Sequence, residues 1–484
     1  MNTLCENTLP AIAVDSKPTY DRSKLAPAIV HIGLGHFHRS HFLTYLDTLL
    51  QKGLAGCGVF ETDIMPINPA FRSNLEKQDY LYSVIALGHD GSRSVRINGP
   101  ILGYANAQTE PEIVLQKLVS PETKLVTMTV TEKGYTYSDD KQMLNWDDPS
   151  VKSDLEGNAV WPKTMVGFVS LALQKRMEAG MPLTIMSCDN IPENGKVLKR
   201  CILQFCGKKY PGLVDWVEKN VAFPCTMVDR ITPGTTKTDL QTIEGYGYHD
   251  DCPVHCEDFI QWVIEDDKKT DIPDFSQAGA MLVKDVKPYE LMKIRLLNGS
   301  HSALSYPSYL MGITQVDKAA TDPLIHAFIR KRYMEEITKT LPPVPGIDVE
   351  AYKDKLLSRF SNAFIADTIL RLASDGSKKI ANAISKPLIE AIHHGNEHRA
   401  MVFALAVWAR FCEGKDEQGK ALPLDDPKKD ALVAASHDAH EFLALAGISG
   451  LSRPEEGALE QLFRTYGEAI RKQGVKKALS EFLR

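Results

Sequence analysis

A chain of 484 residues is too long for one ordinary core, and 43% hydrophobic with 24% charged content is globular composition, so two domains are expected. Fifty-six basic against 62 acidic residues leave a net charge of −6, which argues against the clustered basic face that nucleic-acid binding needs. No run of about 18 apolar residues predicts a membrane span, and "MNTLCENTLPAIAVDSKP" has no basic stretch leading into an apolar one, so a cytoplasmic protein without a secretory signal is expected.

In chain order, the first half alternates short apolar runs with helical stretches. "PAIVHIGLG", "AGCGVFETD", "LYSVIAL", "SVRINGPILGY", "KLVTMTVTEKGY", "PLTIMSCDN" and "FPCTMVDRITP" read as strands. Continuous apolar runs of this kind suit strands buried on both faces. Their alternation with helices predicts an α/β domain with a Rossmann-type, doubly wound, mostly parallel sheet. Helical periodicity dominates from Lys287 onward, in "PYELMKIRLLNG", "PLIHAFIRKRYMEEITKTL", "AMVFALAVWARFCEG" and "ALEQLFRTYGEAIRKQG". The boundary is therefore drawn at residue 286, with the α/β domain over 1–286 and a mostly α-helical domain over 287–484.

The first strand leads into "GLGHFHRSH", with Gly33 and Gly35 as a G-x-G turn opening an amphipathic helix. Such a turn lets backbone approach a pyrophosphate at the helix N-terminus. His38 stands where a third glycine is expected, so the fingerprint is partial. Phe37 and Arg39 lie beside it, and Arg39 reads as added charge for phosphates or as a solvated arginine. An acid after the second strand would bind the ribose hydroxyls, and "GVFETD" offers Glu61 and Asp63. Further strands end in Thr131, Glu132 and Lys133, in Asp189 and Asn190, and in Asp229 and Arg230. In an open parallel sheet, ligands bind beyond such carboxyl ends, although turn chemistry also favours Asp and Asn.

Nine scattered cysteines without a CxxC fit reduced thiols. His249, Cys252, His255 and Cys256 are zinc-binding residue types, but their spacing matches no common finger, and no metal is expected.

"KPYELMKIRLLNGSHSAL" reads as one regular helix. With Lys293 at 0° and about 100° per residue, Glu290 falls at about 60°, His301 at about 80° and Asn298 at about 140°. A base candidate, an acid, an amide and an imidazole thus share one arc. A structural histidine and a capping asparagine fit the same pattern, and Gly299 reads as a possible helix break. The chemistry suits oxidation of a secondary alcohol by hydride transfer. A lysine serves as base when its surroundings bring its pKa towards neutrality. Asn298 and Asn190 can donate to the developing alkoxide, His301 can orient the lysine, and Glu290 can relay the proton. The lack of a Tyr-x-x-x-Lys pair after a suitable strand disfavours a short-chain dehydrogenase mechanism.

"HIGLGHFHRSH", "TVTEKGY", "MSCDN", "FPCTMVDRITP", "QWVIED", "KIRLLNGSHSALSY" and "RFSNAFIADTILRLASDGSKK" (359–379) resemble the mannitol dehydrogenase family, the polyol-specific long-chain dehydrogenases. The resemblance implies a Rossmann-type domain, a helical domain and zinc-independent NAD(P) chemistry. It implies Lys293 as base, Asn190 and Asn298 as oxyanion donors, and His301 beside them. It makes Glu290 the acid gating proton exchange, Asp229 a substrate or cofactor contact, and Arg371 and Lys379 substrate contacts. The candidate cofactor contacts are Gly33, Gly35, Phe37, Arg39, Glu61, Asp63, Thr131, Glu132, Asn190 and Asp229. "GVFETDIMPINPAF" looks longer than the family's segment, so the ribose acid is Asp63 or Glu61, or is replaced by Asn68; NAD is expected rather than NADP. The implied reaction interconverts D-mannitol and D-fructose. Alternatives are the sugar-acid branch, which interconverts D-mannonate and D-fructuronate, and arabinitol or sorbitol oxidation. Arg371 and Lys379 suit a carboxylate or hydroxyls alike. The only partner expected is a small polyol or sugar, with no nucleic acid, membrane or obligatory protein.

Overall fold

The apolar run Ala26–Ile32 forms the central strand, β1, of a six-stranded sheet completed by β2 (Cys57–Asp63), β3 (Ile101–Asn106), β4 (Leu125–Met128), β5 (Leu183–Ser187) and β6 (Val221–Ala222). The structure, a computed structural model, describes residues 1–138, 141–157, 160–416 and 419–484. The strand order is β6-β5-β4-β1-β2-β3, with every neighbouring pair parallel. This is the order of dinucleotide-binding folds, and it reverses direction at β1 and β4. Alternating side chains feed two cores. Val30, Ile32, Val126, Met128 and Ile185 pack with Val114, Phe168 and Ile202 of helices Pro111–Leu118, Met165–Glu178 and Asn194–Lys209. Ile29, Leu125 and Met186 pack on the opposite face with Phe42, Leu46 and Leu49 of helix Phe42–Gln51.

Three expected strands lie outside this sheet. Tyr82–Leu87 and Arg93–Asn98 form an antiparallel pair extended by Val254–Glu257. Thr226–Asp229 pairs antiparallel with Gln261–Glu265 in a separate three-stranded sheet. Pro224 follows shortly after β6, and a residue without N–H cannot extend the ladder, so the chain leaves the parallel sheet there. Asp229 is therefore not at a carboxyl end of the parallel sheet, which corrects that part of the strand-end reading.

The chain's internal contacts divide it into Met1–Val286 and Lys287–Arg484. The second unit is helical around Arg399–Cys412, in which Ala400 through Cys412 are all buried. A helix apolar on every side needs such surroundings. The amphipathic helix Arg453–Gln473 packs along it. The buried Glu336 carboxylate accepts from Ala400 N–H at 2.9 and 2.7 Å and from Met401 N–H at 3.2 Å, capping its N-terminus. No helix among the described residues is long and apolar enough to cross a membrane.

Candidate active site

The glycine turn sits where β1 meets the end of β4. Gly33 has φ +113°, and a Cβ there would lie 2.2 Å from the Thr129 carbonyl oxygen. Only glycine fits both the conformation and the contact. Gly35 is exposed, with nothing closer than 3.9 Å to the place of a Cβ, and it opens helix His36–Ser40. Phe37 is half-buried, and its ring stacks on His41 at 4.8 Å. His38 replaces the third glycine by filling the space: its ring stacks on His31 at 3.3 Å, and its Nε2 lies 2.9 Å from Glu61 Oε1. Glu61 is fully buried, and burial raises it to about 7. Its carboxylate faces His38 inside the fold, so it is not placed to meet a ribose. Arg39 is likewise turned inward, 2% exposed, donating from Nη1 to the Cys252 carbonyl at 2.6 Å beneath the Phe71 ring. It is therefore not a solvated arginine, which corrects that alternative. His31, His38 and Glu61 carry metal-ligating atoms close together, but face-to-face rings aim their nitrogens along parallel lines, and both His31 nitrogens are hydrogen-bonded.

Asp63 is the remaining acid at the end of β2. The Leu34 N–H and the Tyr104 hydroxyl reach it, and its Oδ2 has no partner among the described residues. Burial, reinforced by the charge of Glu61, raises it to about 7. Asn68 is used otherwise, since its side chain accepts from Ala70 N–H at 2.9 Å to cap helix Pro69–Lys77.

At the end of β4, Thr131 adopts φ +60°, a left-handed conformation rare for a β-branched residue. Asp189, just past β5, holds it there. Asp189 Oδ1 accepts from Thr131 N–H at 2.9 Å, and Oδ2 accepts from Val130 N–H at 3.0 Å and the Tyr135 hydroxyl at 2.7 Å. The carboxylate is 9% exposed, and desolvation raises its pKa. Thr131, Glu132 and Asn190 are exposed beside this clamp, whereas Asp229 is buried in its own sheet.

The lysine segment is not one regular helix. An α-helix, Lys287–Met292, runs into a π-helix, Lys293–Asn298, and then into a second α-helix, Gly299–Leu310. A π-turn closes i→i+5, so it brings Asn298 nearer in angle to Lys293 than the about 140° of a regular helix. Glu290 and Lys293 are buried, at 6% and 8% exposure, while Asn298 and His301 are half-buried. The His301 ring packs against Phe360 at 4.4 Å. Gly299 does not break the helix, since its φ and ψ are −63° and −43°. A Cβ there would lie 2.2 Å from the Tyr333 hydroxyl and 3.1 Å from the Ala383 carbonyl. Tyr333 and Ala383 belong to two further π-helices, Ile329–Tyr333 and Ala381–Ser385, and the Tyr333 hydroxyl donates to that carbonyl at 3.4 Å. Arg295 anchors the turn elsewhere, through two bonds to Glu390 at 2.7 and 2.8 Å. In the same unit Arg371 is exposed on helix Ile369–Ala373 and paired with Asp367, and Lys379 is half-buried on helix Gly376–Ile380.

The zinc-type residues turn to separate partners. His255 pairs with Asp239 at 2.8 Å, His249 with Asp251 at 3.0 Å, and the Cys252 and Cys256 thiols face the Phe71 and Ile85 carbonyls.

Residues 27–276 match the mannitol dehydrogenase Rossmann domain, and residues 285–449 match the mannitol dehydrogenase C-terminal domain. The chain belongs to the mannitol dehydrogenase family. A mannitol 2-dehydrogenase of Aspergillus fumigatus is 36% identical over 479 residues, 96% of this chain and 95% of that one. A D-mannonate oxidoreductase of Escherichia coli is 37% identical over 462 residues, 93% of each chain. Among solved structures, the Pseudomonas fluorescens mannitol 2-dehydrogenase, a ternary complex with NAD and D-mannitol, superposes with a TM-score of 0.87 at 35% identity, covering 99% of both chains.

In this member of the mannitol dehydrogenase family, the residues that shape these turns carry only partial signals in the sequence. Asp189 is legible as a polar strand end but not as a clamp, because its partners, two backbone N–H groups and the Tyr135 hydroxyl, lie 54 to 59 residues away in the chain. Nothing local marks Tyr333 as the neighbour of Gly299. Asp367 carried one signal, its i,i+4 spacing to Arg371.

Proposed function

We propose that this family member is an NAD-dependent polyol dehydrogenase that interconverts D-mannitol and D-fructose without a metal, with Lys293 as general base. The observation that carries this reading is the single π-turn with a buried lysine at its start and an asparagine at its end. NAD⁺, when bound, supplies the two-electron acceptor for the alcohol carbon. The residues present fit it: Gly35 leaves open space at the turn, and the unpartnered Asp63 Oδ2 suits a ribose diol better than a 2′-phosphate. Gly33, Gly35 and Asp63 would hold it, with Thr131 and Glu132 at the end of β4. Lys293 takes the hydroxyl proton as the alcohol becomes a ketone. Asn298 and Asn190 are assigned as fixed, non-titrating donors to the developing oxyanion. His301 orients the hydroxyl and the lysine amine, and Glu290, one turn before Lys293, passes the proton on to solvent. Asp229 orients substrate or cofactor, and Arg371 and Lys379 hold the far substrate hydroxyls. By division of roles, 1–286 binds NAD and 287–484 carries the base.

The test is NADH formation with mannitol, sorbitol, arabinitol and mannonate, with and without a chelator. Mannitol should give the highest kcat/KM, unchanged by chelation. Turnover of mannonate with none of mannitol would replace this reading by the sugar-acid one, and loss of activity on chelation would bring in a metal.

A further inference from the structure

The segment 366–379 holds two cations assigned to the far end of the substrate, and its acids decide what that end can be. Ala366 adopts φ +51°, turning the chain so that Asp367 lies back along helix Ile369–Ala373. Asp367 is firmly placed: its carbonyl accepts from Val316 N–H at 3.0 Å, its Oδ1 from Thr368 N–H at 2.8 Å, and its side chain is only 10% exposed. Arg371 Nε donates to Oδ1 at 2.5 Å, and Nη2 donates to Oδ2. One edge of the guanidinium is thus filled by a carboxylate of the protein itself. Lys379 Nζ turns to the carbonyls of Arg371 and Leu372, at 3.4 and 3.2 Å, and to Ser374 Oγ at 3.5 Å. Asp375 and Asp425 also lie within its electrostatic reach. Arg371 is thus paired with Asp367, and Lys379 lies within reach of three carboxylates.

A site for a carboxylate presents an open guanidinium fork and a positive balance. Here one of the two forks of Arg371 is already filled by Asp367, and the Asp367 charge sits beside the other. A hydroxyl needs only one donor, which the Nη1 end of Arg371 can give. We propose that Asp367 is a specificity-determining residue: by filling the Nε/Nη2 edge of Arg371 and setting a fixed negative charge beside its remaining donors, it disfavours a substrate with an acid terminus and admits a neutral polyol. Specificity of this kind comes from a built-in repulsive element as much as from attraction. The inference rests on the reading of Arg371 as a substrate contact given above.

The experiment compares kcat/KM for D-mannitol and D-mannonate at saturating NAD⁺ in the wild type and in Asp367→Asn. Removing the charge should shift the mannonate-to-mannitol ratio at least about tenfold towards the acid, a modest share of a like-charge juxtaposition. A folded Asp367→Asn with an unmoved ratio overturns the role of Asp367 while leaving mannitol oxidation standing. Wild-type turnover of mannonate alone overturns both. Should the variant fail to fold, mannonate as an inhibitor of wild-type mannitol oxidation decides: its Ki should exceed the mannitol KM at least about tenfold, and a Ki near that KM overturns the proposal.

Discussion

In the first unit the candidate residues sit on turns at the ends of strands, while in the second they sit inside a helix whose turn has been widened. The strand ends are held from neighbouring strands: the Gly33 N–H donates to the Thr62 carbonyl, and the Val130 and Thr131 N–H groups donate to the Asp189 carboxylate. The π-turn is held by side chains packed from elsewhere, namely Tyr333 against Gly299 and Glu390 against Arg295. Hydrogen bonds from the adjoining strands fix the first set of turns, whereas a π-turn persists only when the packing around it demands it. Binding a constant cofactor suits the first arrangement, and placing one base against one amide suits the second. The comparison is tested most severely at Lys293. Lys293→Ala should lower kcat by about 10²–10⁴, the usual contribution of general base catalysis, with NAD affinity from fluorescence titration unchanged. Near-normal turnover would remove the division of labour altogether.

A smaller loss is expected where the π-turn is supported. Gly299→Ala places a methyl 2.2 Å from a hydroxyl on a fully buried ring. Overpacking of this kind costs about 1–3 kcal/mol and should lower both Tm and kcat. Asn298, the adjacent residue, should be displaced with it, so kcat should fall more than mannitol KM rises. The double variant Gly299→Ala, Tyr333→Phe deletes the obstructing oxygen and should recover part of the kcat. If the double variant is worse than additive, the junction is not what holds the turn.

The parallel sheet was legible because its strands are continuous apolar runs, and the switch to helical periodicity at Lys287 was equally plain. Lys293, Asn298, His301 and Glu290 were recognisable as a polar set within an apolar helix, and their family pattern assigned them roles. Their geometry was not legible. The angular reading used about 100° per residue, whereas a π-turn depends on Gly299 meeting Tyr333 and Ala383, residues far along the chain. The burial of Arg39 and Glu61 was not legible for a related reason. A charged residue beside a glycine turn reads as a ligand contact, but His38 in place of the third glycine brought its own ring into the core and drew Glu61 in with it. Burial of that kind is decided by three-dimensional packing, and a lone substitution in a motif only hints at it.

The mildest variant bears on the strand-end side. Asp189 accepts from two backbone N–H groups and one hydroxyl, and it is the restraint seen on Thr131 at φ +60°. Asparagine keeps the shape but offers one acceptor oxygen. Its amide must then face either the Thr131 N–H or the pair formed by the Val130 N–H and the Tyr135 hydroxyl, leaving a donor unmet in a nearly buried place. That costs about 1–3 kcal/mol of local stability, part of which the exposed end of β4 can recover by relaxing towards solvent. A relaxed Thr131 turn no longer presents its neighbours where a cofactor would meet them. Asp189→Asn should therefore raise the KM for NAD⁺ about five- to tenfold, the equivalent of about 1–1.4 kcal/mol, with a much smaller change in the KM for mannitol. The reverse split, with mannitol KM rising and NAD⁺ KM constant, would mean that Asp189 acts mainly through Asn190, and the strand ends would then share in substrate chemistry rather than serve the cofactor alone.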